Sequence, residues 1–203
     1  MKLICIGRNY SAHIAELGNE LPEDPVVFIK PDSAVLPKNQ PFFIPDFTCE
    51  VDYEVEVLVK ISKAGKHIQE KFAHKYYEEI GLGIDFTARD LQRDLKEKGL
   101  PWEKAKGFDG SAVIGKWLPK SKFGDLGHLQ FSLSKNGETV QRGSTELMIW
   151  KFDGLIAHVS RFFALKKGDI LFTGTPSGVG KIAANDYLSG SLEGEELLTV
   201  KIK

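Results

Sequence analysis

The sequence predicts a mainly β fold of the α+β class with a few short helices. The 203-residue chain contains 20 glycines and 9 prolines, so turn signals punctuate it closely. Between these signals lie short runs rich in Val, Ile, Phe and Thr, the residue types that fit a pleated strand. Asn136-Gly137 separates two such runs and is a strong signal for a two-residue hairpin turn.

The predicted strands follow these runs in chain order. They comprise residues 2–6, 26–29, 42–44, 51–61, 80–85, 129–133, 139–142, 169–173 and 197–202. Residues 51–61 give the clearest pattern, because apolar side chains alternate with charged ones at the period of two that a strand imposes.

The predicted helices begin after turn signals and end at glycine where the chain offers one. They comprise residues 12–17, 72–79, 88–98 and about 154–165. Gly18 and Gly99 supply the stops of the first and the third helix. No internal repeat or linker is visible, so residues 1–203 are expected to form a single domain.

Composition and charge exclude several classes of protein. The chain has 28 acidic and 27 basic residues, a net charge of −1, and 42% hydrophobic residues, which excludes disordered, collagenous and coiled-coil proteins. The balanced charge argues against a nucleic-acid partner, and the apolar runs are too short to predict a membrane span.

Cys5 and Cys49, each assigned to a strand, are expected to be buried free thiols in a cytoplasmic protein.

The segment from residue 50 to 61 places acidic residues on one face of the predicted strand. These are Glu50, Asp52, Glu54 and Glu56. Same-face neighbours on a strand stand roughly 6 to 7 Å apart, so their carboxylates repel one another. Two explanations stay open: the face is the solvated side of an antiparallel sheet, or Glu54 and Glu56 flank a divalent cation such as Mg²⁺.

Asp85 adds a third carboxylate to this hypothesis. It ends an apolar run and lies two residues before Thr87, which opens the third predicted helix. A lone carboxylate at such a position is often a helix cap. Because Thr87 can cap the helix instead, Asp85 is available as a third oxygen ligand of a metal.

His13 and Glu16 lie three residues apart and therefore on the same side of the first predicted helix. The pair is either an incidental surface contact or a catalytic base, in which the carboxylate orients an imidazole that titrates near neutral pH. The preceding turn, residues 7–10, is dense in polar groups and is explained equally by turn chemistry.

Two loops complete the candidate polar groups. Residues 102–110 are either a surface loop or a segment that points Lys106 toward an anionic substrate. Residues 171–181 resemble a phosphate loop, but the spacing from Gly174 to Gly180 and the residue after Lys181 exclude that motif. The backbone N–H groups of this loop and the Thr175 hydroxyl are suited to receive a carboxylate.

In this order, the segments resemble the fumarylacetoacetate hydrolase family, and most closely its short acylpyruvase and oxaloacetate decarboxylase members. The resemblance is carried by residues 7–10 (GRNY) with His13 and Glu16, 28–31 (FIKP), 54–56 (EVE), 85–92 (DFTARDLQ), 102–109, 136–137 with Gln141, and 168–179. These motifs span essentially the whole chain.

The resemblance implies a mixed β-sandwich or roll that forms a homodimer and binds one Mg²⁺ or Mn²⁺. The implied metal ligands are Glu54, Glu56 and Asp85. The implied catalytic residues are Lys106 and a dyad of His13 and Glu16 on a mobile lid helix. The expected substrate contacts are Arg8, Tyr10, Arg89, Gln92 and Thr175. Ile84 and Gly107 depart from the family's usual Asn and Ser, which leaves substrate preference open.

The implied activity is hydrolysis of the C–C bond of 3-acylpyruvates through a pyruvate enolate. In that reaction the metal is a Lewis acid, Lys106 stabilises negative charge, and His13 assisted by Glu16 activates water. The alternative is decarboxylation, tautomerisation or isomerisation of oxaloacetate or a related 2-oxo acid at the same site. A more remote alternative is a non-enzymatic β module that a metal stabilises.

Overall fold

The structure, a computed structural model, describes residues 1–16, 18 and 20–203. The strands in these residues are β1 (Leu3–Gly7), β2 (Val26–Lys30), β3 (Val51–Tyr53), β4 (Val55–Ile61), β5 (Tyr77–Asp85), β6 (Thr87–Ala88), β7 (Ala112–Pro119), β8 (Gln130–Lys135), β9 (Glu138–Ser144), β10 (Ile170–Phe172), β11 (Gly180–Lys181), β12 (Tyr187–Leu192) and β13 (Glu195–Lys201). The α-helices are α1 (Ser11–Glu16), α2 (Glu70–Ala73), α3 (Arg89–Glu97), α4 (Glu103–Lys106) and α5 (Phe152–Phe162).

The strands form three sheets. The largest has the order β2-β1-β10-β4-β5-β7, in which β1 and β10 are parallel and the other pairs antiparallel. The second has the order β11-β3-β6, and the third β13-β12-β8-β9. The predicted mainly β fold with a few short helices is confirmed.

The hairpin predicted at Asn136-Gly137 joins β8 to β9. Both residues have positive φ angles, 54° and 87°, as the tight turns that suit the right-handed twist of paired strands require. Asn and Gly tolerate this conformation better than other residues, which is why the dipeptide is a reliable turn signal.

Strand β4 is buried on both faces, because it lies in the interior of the largest sheet. Val55, Val57 and Val59 join the main hydrophobic core, and Leu58 on the other face joins a second cluster with Leu3 and other apolar side chains. A strand with two covered faces does not present a solvated acidic side.

Several predicted elements are wrong or differ in extent. The helix predicted at residues 72–79 is absent: α2 ends at Ala73, and β5 begins at Tyr77 because it pairs with both β4 and β7. Of the strand predicted at 42–44, only a bridge from Phe42 to Ile202 forms. The strand predicted at 51–61 is interrupted at residue 54, and β7 and β12 were not predicted. The first predicted helix includes Leu17, which lies outside the described residues.

The two cysteines differ in environment. Cys5 is a buried thiol within β1, as predicted, whereas Cys49 is exposed and lies outside the strands, so that prediction is wrong for Cys49. Among the described residues, no helix is long and apolar enough to cross a membrane.

Candidate active site

Three carboxylates converge where β4 begins and β5 ends. The antiparallel register pairs Val55 with Ile84, and the Asp85 N–H donates to the Glu54 carbonyl at 2.9 Å. This pairing brings the side chains of Glu54, Glu56 and Asp85 together, with one oxygen of each within 4.8 Å of the others. All three residues are buried, with exposures of 5%, 2% and 0%. The solvated-face explanation is therefore wrong for this segment.

Lys106 offsets part of the repulsion between these carboxylates. Its Nζ lies 2.7 Å from Glu54 Oε2 and 2.9 Å from Asp85 Oδ2, and it donates to Thr87 Oγ1 at 2.6 Å. Lys106 ends helix α4 and is buried, so the surface-loop explanation for its segment is wrong. Burial lowers the pKa of Lys106, but Asp85 and Glu54 outweigh it and raise that pKa, so the side chain stays cationic.

Arg89 adds a second cation from the first turn of α3. Its Nε donates to Asp52 Oδ2 at 2.8 Å, its Nη2 to Glu54 Oε1 at 2.5 Å and its Nη1 to Gln92 Oε1 at 2.7 Å. Burial raises the pKa of Glu54, but Lys106 and Arg89 outweigh it and hold that pKa well below its usual range.

The prediction that Thr87 caps α3 is wrong. The N-cap position is Ala88, and no side chain caps the helix there. Thr87 instead lies in β6 as a buried acceptor for Lys106, because pairing with Asp52 of β3 fixes its backbone. Asp85 nevertheless has no capping role.

Lys30, a residue for which the sequence predicted no role, lies behind Asp85. It is fully buried, and its Nζ lies 2.7 Å from Asp85 Oδ1 in an ion pair that lacks the angles of a hydrogen bond. The ammonium group also donates to Ser111 Oγ at 2.9 Å and to the carbonyl of Lys106. A single charged residue ending the apolar run of β2 is the signal that points to it.

The surroundings of Glu56 disfavour the ionised form of its carboxylate. Burial, followed by repulsion from Asp85 and Glu54, raises its pKa well above its usual range, although its Oε2 accepts the Gly174 N–H at 2.7 Å. Three crowded, buried carboxylates are the oxygen donor set that Mg²⁺ and Mn²⁺ prefer, and a divalent cation would offset their mutual repulsion. The donor set therefore fits such an ion.

The predicted dyad is in contact. His13 Nδ1 lies 3.2 Å from Glu16 Oε2, and His13 is buried and lines the same cavity as the carboxylates. Both Glu16 carboxylate oxygens accept the Gly178 N–H, at 3.0 and 3.2 Å. The loop at 174–180 thus receives carboxylates as predicted, but they belong to Glu16 and Glu56.

The glycines of this loop are required by its geometry. Gly174 and Gly178 have φ angles of 103° and 94°, and a Cβ would lie 2.8 Å from Asn9 Cβ at the first and 2.5 Å from the Val140 carbonyl oxygen at the second. Between them, Thr175 Oγ1 accepts from Gln141 Nε2 at 2.9 Å, so the hydroxyl is fixed beside the cavity.

A cavity of about 50 Å³ joins these groups. It is lined by nine of the predicted site residues: Arg8, His13, Glu54, Glu56, Asp85, Arg89, Gln92, Lys106 and Thr175. Glu16 lies behind His13. Tyr10 packs in the core against Phe131, and its hydroxyl has no hydrogen-bond partner among the described residues. The remaining lining residues were not predicted as site residues: Ile6, Gly7, Phe28, Lys96 and Trp102.

Comparison with known proteins places the whole chain among related sequences. Residues 2–201 match the model of the fumarylacetoacetate (FAA) hydrolase C-terminal family. The oxaloacetate tautomerase of Escherichia coli (strain K12) is 43% identical over 199 residues, covering 98% of this chain and 91% of that protein. The mitochondrial oxaloacetate tautomerase of Bos taurus is 38% identical over 201 residues, covering 99% and 90%.

A solved structure of a related protein has the same fold as this chain. The fumarylpyruvate hydrolase from Pseudomonas aeruginosa, in complex with Mn²⁺ and pyruvate, superposes with a TM-score of 0.93 and 36% sequence identity. The match covers 100% of this chain and 89% of that one.

Proposed function

Because this chain belongs to the fumarylacetoacetate hydrolase C-terminal family, we propose that it is a divalent-metal-dependent enzyme that interconverts the enol and keto forms of oxaloacetate. The observation that carries this proposal is the buried set of Glu54, Glu56 and Asp85, which shares one cavity with Lys106 and His13. The oxaloacetate tautomerases among its relatives support this substrate.

Each residue of the site has a function in such a reaction. Glu54, Glu56 and Asp85 would hold the ion, which when bound supplies a Lewis acid for negative charge on a 2-oxo acid. Lys106, kept cationic by its two carboxylate partners, adds fixed positive charge where an enolate develops. It therefore acts as an electrostatic stabiliser and not as a base.

His13 is the proposed proton carrier. With Nδ1 hydrogen-bonded to Glu16, the other ring nitrogen is available to take a proton from C3 of the keto form and deliver it to the 2-oxo oxygen, which gives the enol, and the reverse transfer restores the keto form. The Gly178 N–H fixes Glu16, so the loop at 174–180 sets the orientation of the imidazole. Gln92 and Thr175 line the cavity with fixed polar groups that can orient the substrate.

A direct assay follows the decay of enol-oxaloacetate absorbance with Mg²⁺, with Mn²⁺ and with EDTA. We expect either ion to accelerate the decay and EDTA to abolish the acceleration. An unchanged uncatalysed rate under all three conditions would refute the proposal. Mg²⁺ as the preferred ion is a further prediction of the family resemblance, which the same assay tests.

Hydrolysis of acylpyruvates is the second candidate function. The His13–Glu16 contact favours it, because a hydrolase needs a base to activate water, and the fumarylpyruvate hydrolase relative supports it. Pyruvate release from fumarylpyruvate and acetylpyruvate measures this activity separately from tautomerisation. The homodimer expected from the resemblance also stays a prediction, which sedimentation equilibrium tests.

A further inference from the structure

Helix α3 presents a row of polar side chains to the cavity. Arg89, Gln92 and Lys96 all line it, and their spacing of three and four residues places them on one face of the helix. Since a helix rises 1.5 Å per residue, Lys96 lies about 6 Å farther along the axis than Gln92. Arg89 and Gln92 are buried and Lys96 is exposed, so the row leads from the carboxylates to the mouth of the cavity.

Arg8 reaches the same cavity from the turn after β1. Its φ angle of 59° lies in the left-handed region, which is uncommon for residues other than glycine and needs support from neighbouring contacts. The hydrogen bonds of the next residue supply this support. Asn9 is fully buried, donates to the carbonyls of Trp150 and Thr173 at 3.0 and 2.8 Å, and accepts the Trp150 N–H at 2.8 Å.

The cationic groups of this wall act on one another. Partial desolvation at the cavity wall lowers the pKa of Lys96, and the charges of Arg8 and Arg89 lower it further. Arg89 is already engaged with Asp52 and Glu54, which ties its charge to the inner end of the cavity. Because Arg8 and Lys96 both line this cavity, a carboxylate that reaches its outer end would be attracted by the two positive charges.

We propose that Lys96, together with Arg8, binds the distal carboxylate of a dicarboxylic 2-oxo acid and thereby selects such substrates over 2-oxo acids with a neutral tail. This inference rests on the proposed function, which places the 2-oxo acid end of the substrate at Glu54, Glu56 and Asp85. Lys96 is then a specificity-determining residue, and it contributes to binding more than to the chemical step.

The test compares two four-carbon ligands that differ at the distal position, oxaloacetate and 2-oxobutanoate. In the Mn²⁺-loaded enzyme, we expect Lys96→Met to raise the KM for oxaloacetate roughly 3- to 10-fold, the range for a partly exposed ion pair. The inhibition constant of 2-oxobutanoate should change less than about twofold in the same variant. Lys96→Arg should restore the wild-type KM for oxaloacetate. A higher salt concentration should reduce the difference in this KM between Lys96→Met and wild type.

Lys98→Met is the matched control, because Lys98 lies just past the same helix, carries the same charge and does not line the cavity. Equal changes for both ligands, or no change for either, would overturn the inference while leaving the proposed function intact. If wild-type protein does not turn over oxaloacetate, the proposed function fails. Calorimetric binding of the same two ligands to wild type and Lys96→Met then tests the subsite alone.

Discussion

Glu54 is held by a cation on each of its two carboxylate oxygens. One of its oxygens accepts from Arg89 and the other from Lys106, so the side chain is fixed on both sides while it remains within reach of Glu56 and Asp85. A carboxylate held in this way is ionised over the range in which proteins fold, and it is already placed for an ion when one arrives.

Replacing Glu54 with Gln keeps the shape of the side chain and removes its charge. We expect Mn²⁺ affinity, measured by calorimetry, and metal-dependent turnover to fall by roughly 100-fold or more, because an ion ligand is at least as important as the groups that orient it. Glu50→Gln is the control, since Glu50 precedes the same segment but pairs with Arg93 at the surface. Wild-type affinity in the Glu54 variant would contradict the assignment.

Replacing Lys106 with Met tests the ion pairs. Without the ammonium group, Glu54 and Asp85 lose a buried partner, and we expect the metal-free protein to lose about 3 to 5 kcal/mol of unfolding free energy. Added Mn²⁺ should raise the melting temperature of the variant more than that of wild type. The matched control is Lys104→Met, an exposed position of the same helix. Equal Mn²⁺ effects in both proteins would count against this account.

At the scale of elements, the central strands β4 and β5 place the carboxylates and also pack closely against each other. Gly83 of β5 faces Leu58 of β4, and a Cβ at residue 83 would lie 2.8 Å from Leu58 Cδ1 and 2.6 Å from the Val113 carbonyl oxygen. The Val113 carbonyl belongs to the backbone of β7 and cannot retreat without moving that strand.

Gly83→Ala should therefore destabilise the protein by about 1 to 3 kcal/mol, the usual effect of overpacking. Denaturant unfolding measures it, and Gly124→Ala is the control, because a Cβ at Gly124 would have nothing within 4 Å. Stability equal to wild type in the Gly83 variant would show that the sheet expands there without penalty.

The parallel pair β1 and β10 is secured by Asp169. Its carboxylate accepts the backbone N–H groups of Lys2 and Lys166 at 2.9 and 2.8 Å and pairs with the Lys2 ammonium group. Burial raises the pKa of Asp169, but the bonds from Lys2 and Lys166 outweigh it and lower that pKa. A lowered pKa means that this stabilisation is complete above the ordinary Asp value of 3.8 and is lost as the pH falls below it.

Asp169→Asn should cost about 1 to 3 kcal/mol of unfolding free energy at pH 7. The difference from wild type should shrink below the ordinary Asp value of 3.8, since the wild-type carboxylate is then progressively protonated. Urea unfolding from pH 7 to pH 3 measures this, with the exposed Asp94→Asn as control. A difference that stays constant with pH would contradict it.

Sequence periodicity predicted elements well where local chemistry dominates. The Asn136-Gly137 hairpin and α3 are set by residues close in the chain. The helix predicted at 72–79 failed because long-range pairing with β4 and β7 makes that region enter a strand. Strands β7 and β12 were missed because each contains glycine and polar residues that weaken the local signal, and neighbouring strands supply their order.

At the scale of the molecule, residue types and motif order predicted most of the site. The sequence indicated the three carboxylates, but not whether they were buried, because burial depends on sheets formed by distant segments. Lys30 and Lys96 were missed for the same reason. Each appears in sequence as an ordinary charged residue and becomes informative only when β2 passes behind Asp85 and α3 faces the cavity.

The parallel pairing of β1 with β10 sets an order of events during synthesis. Lys2 and Asp169, which contact each other across 167 positions, cannot meet until most of the chain has left the ribosome. Until then, β1 can pair only through its opposite edge, with β2. Contacts of such long range form slowly, so Gly174 and Thr175 join the site among the last steps of folding. In a nascent chain, Glu56 is thus expected to be fixed in place only after Gly174 has emerged.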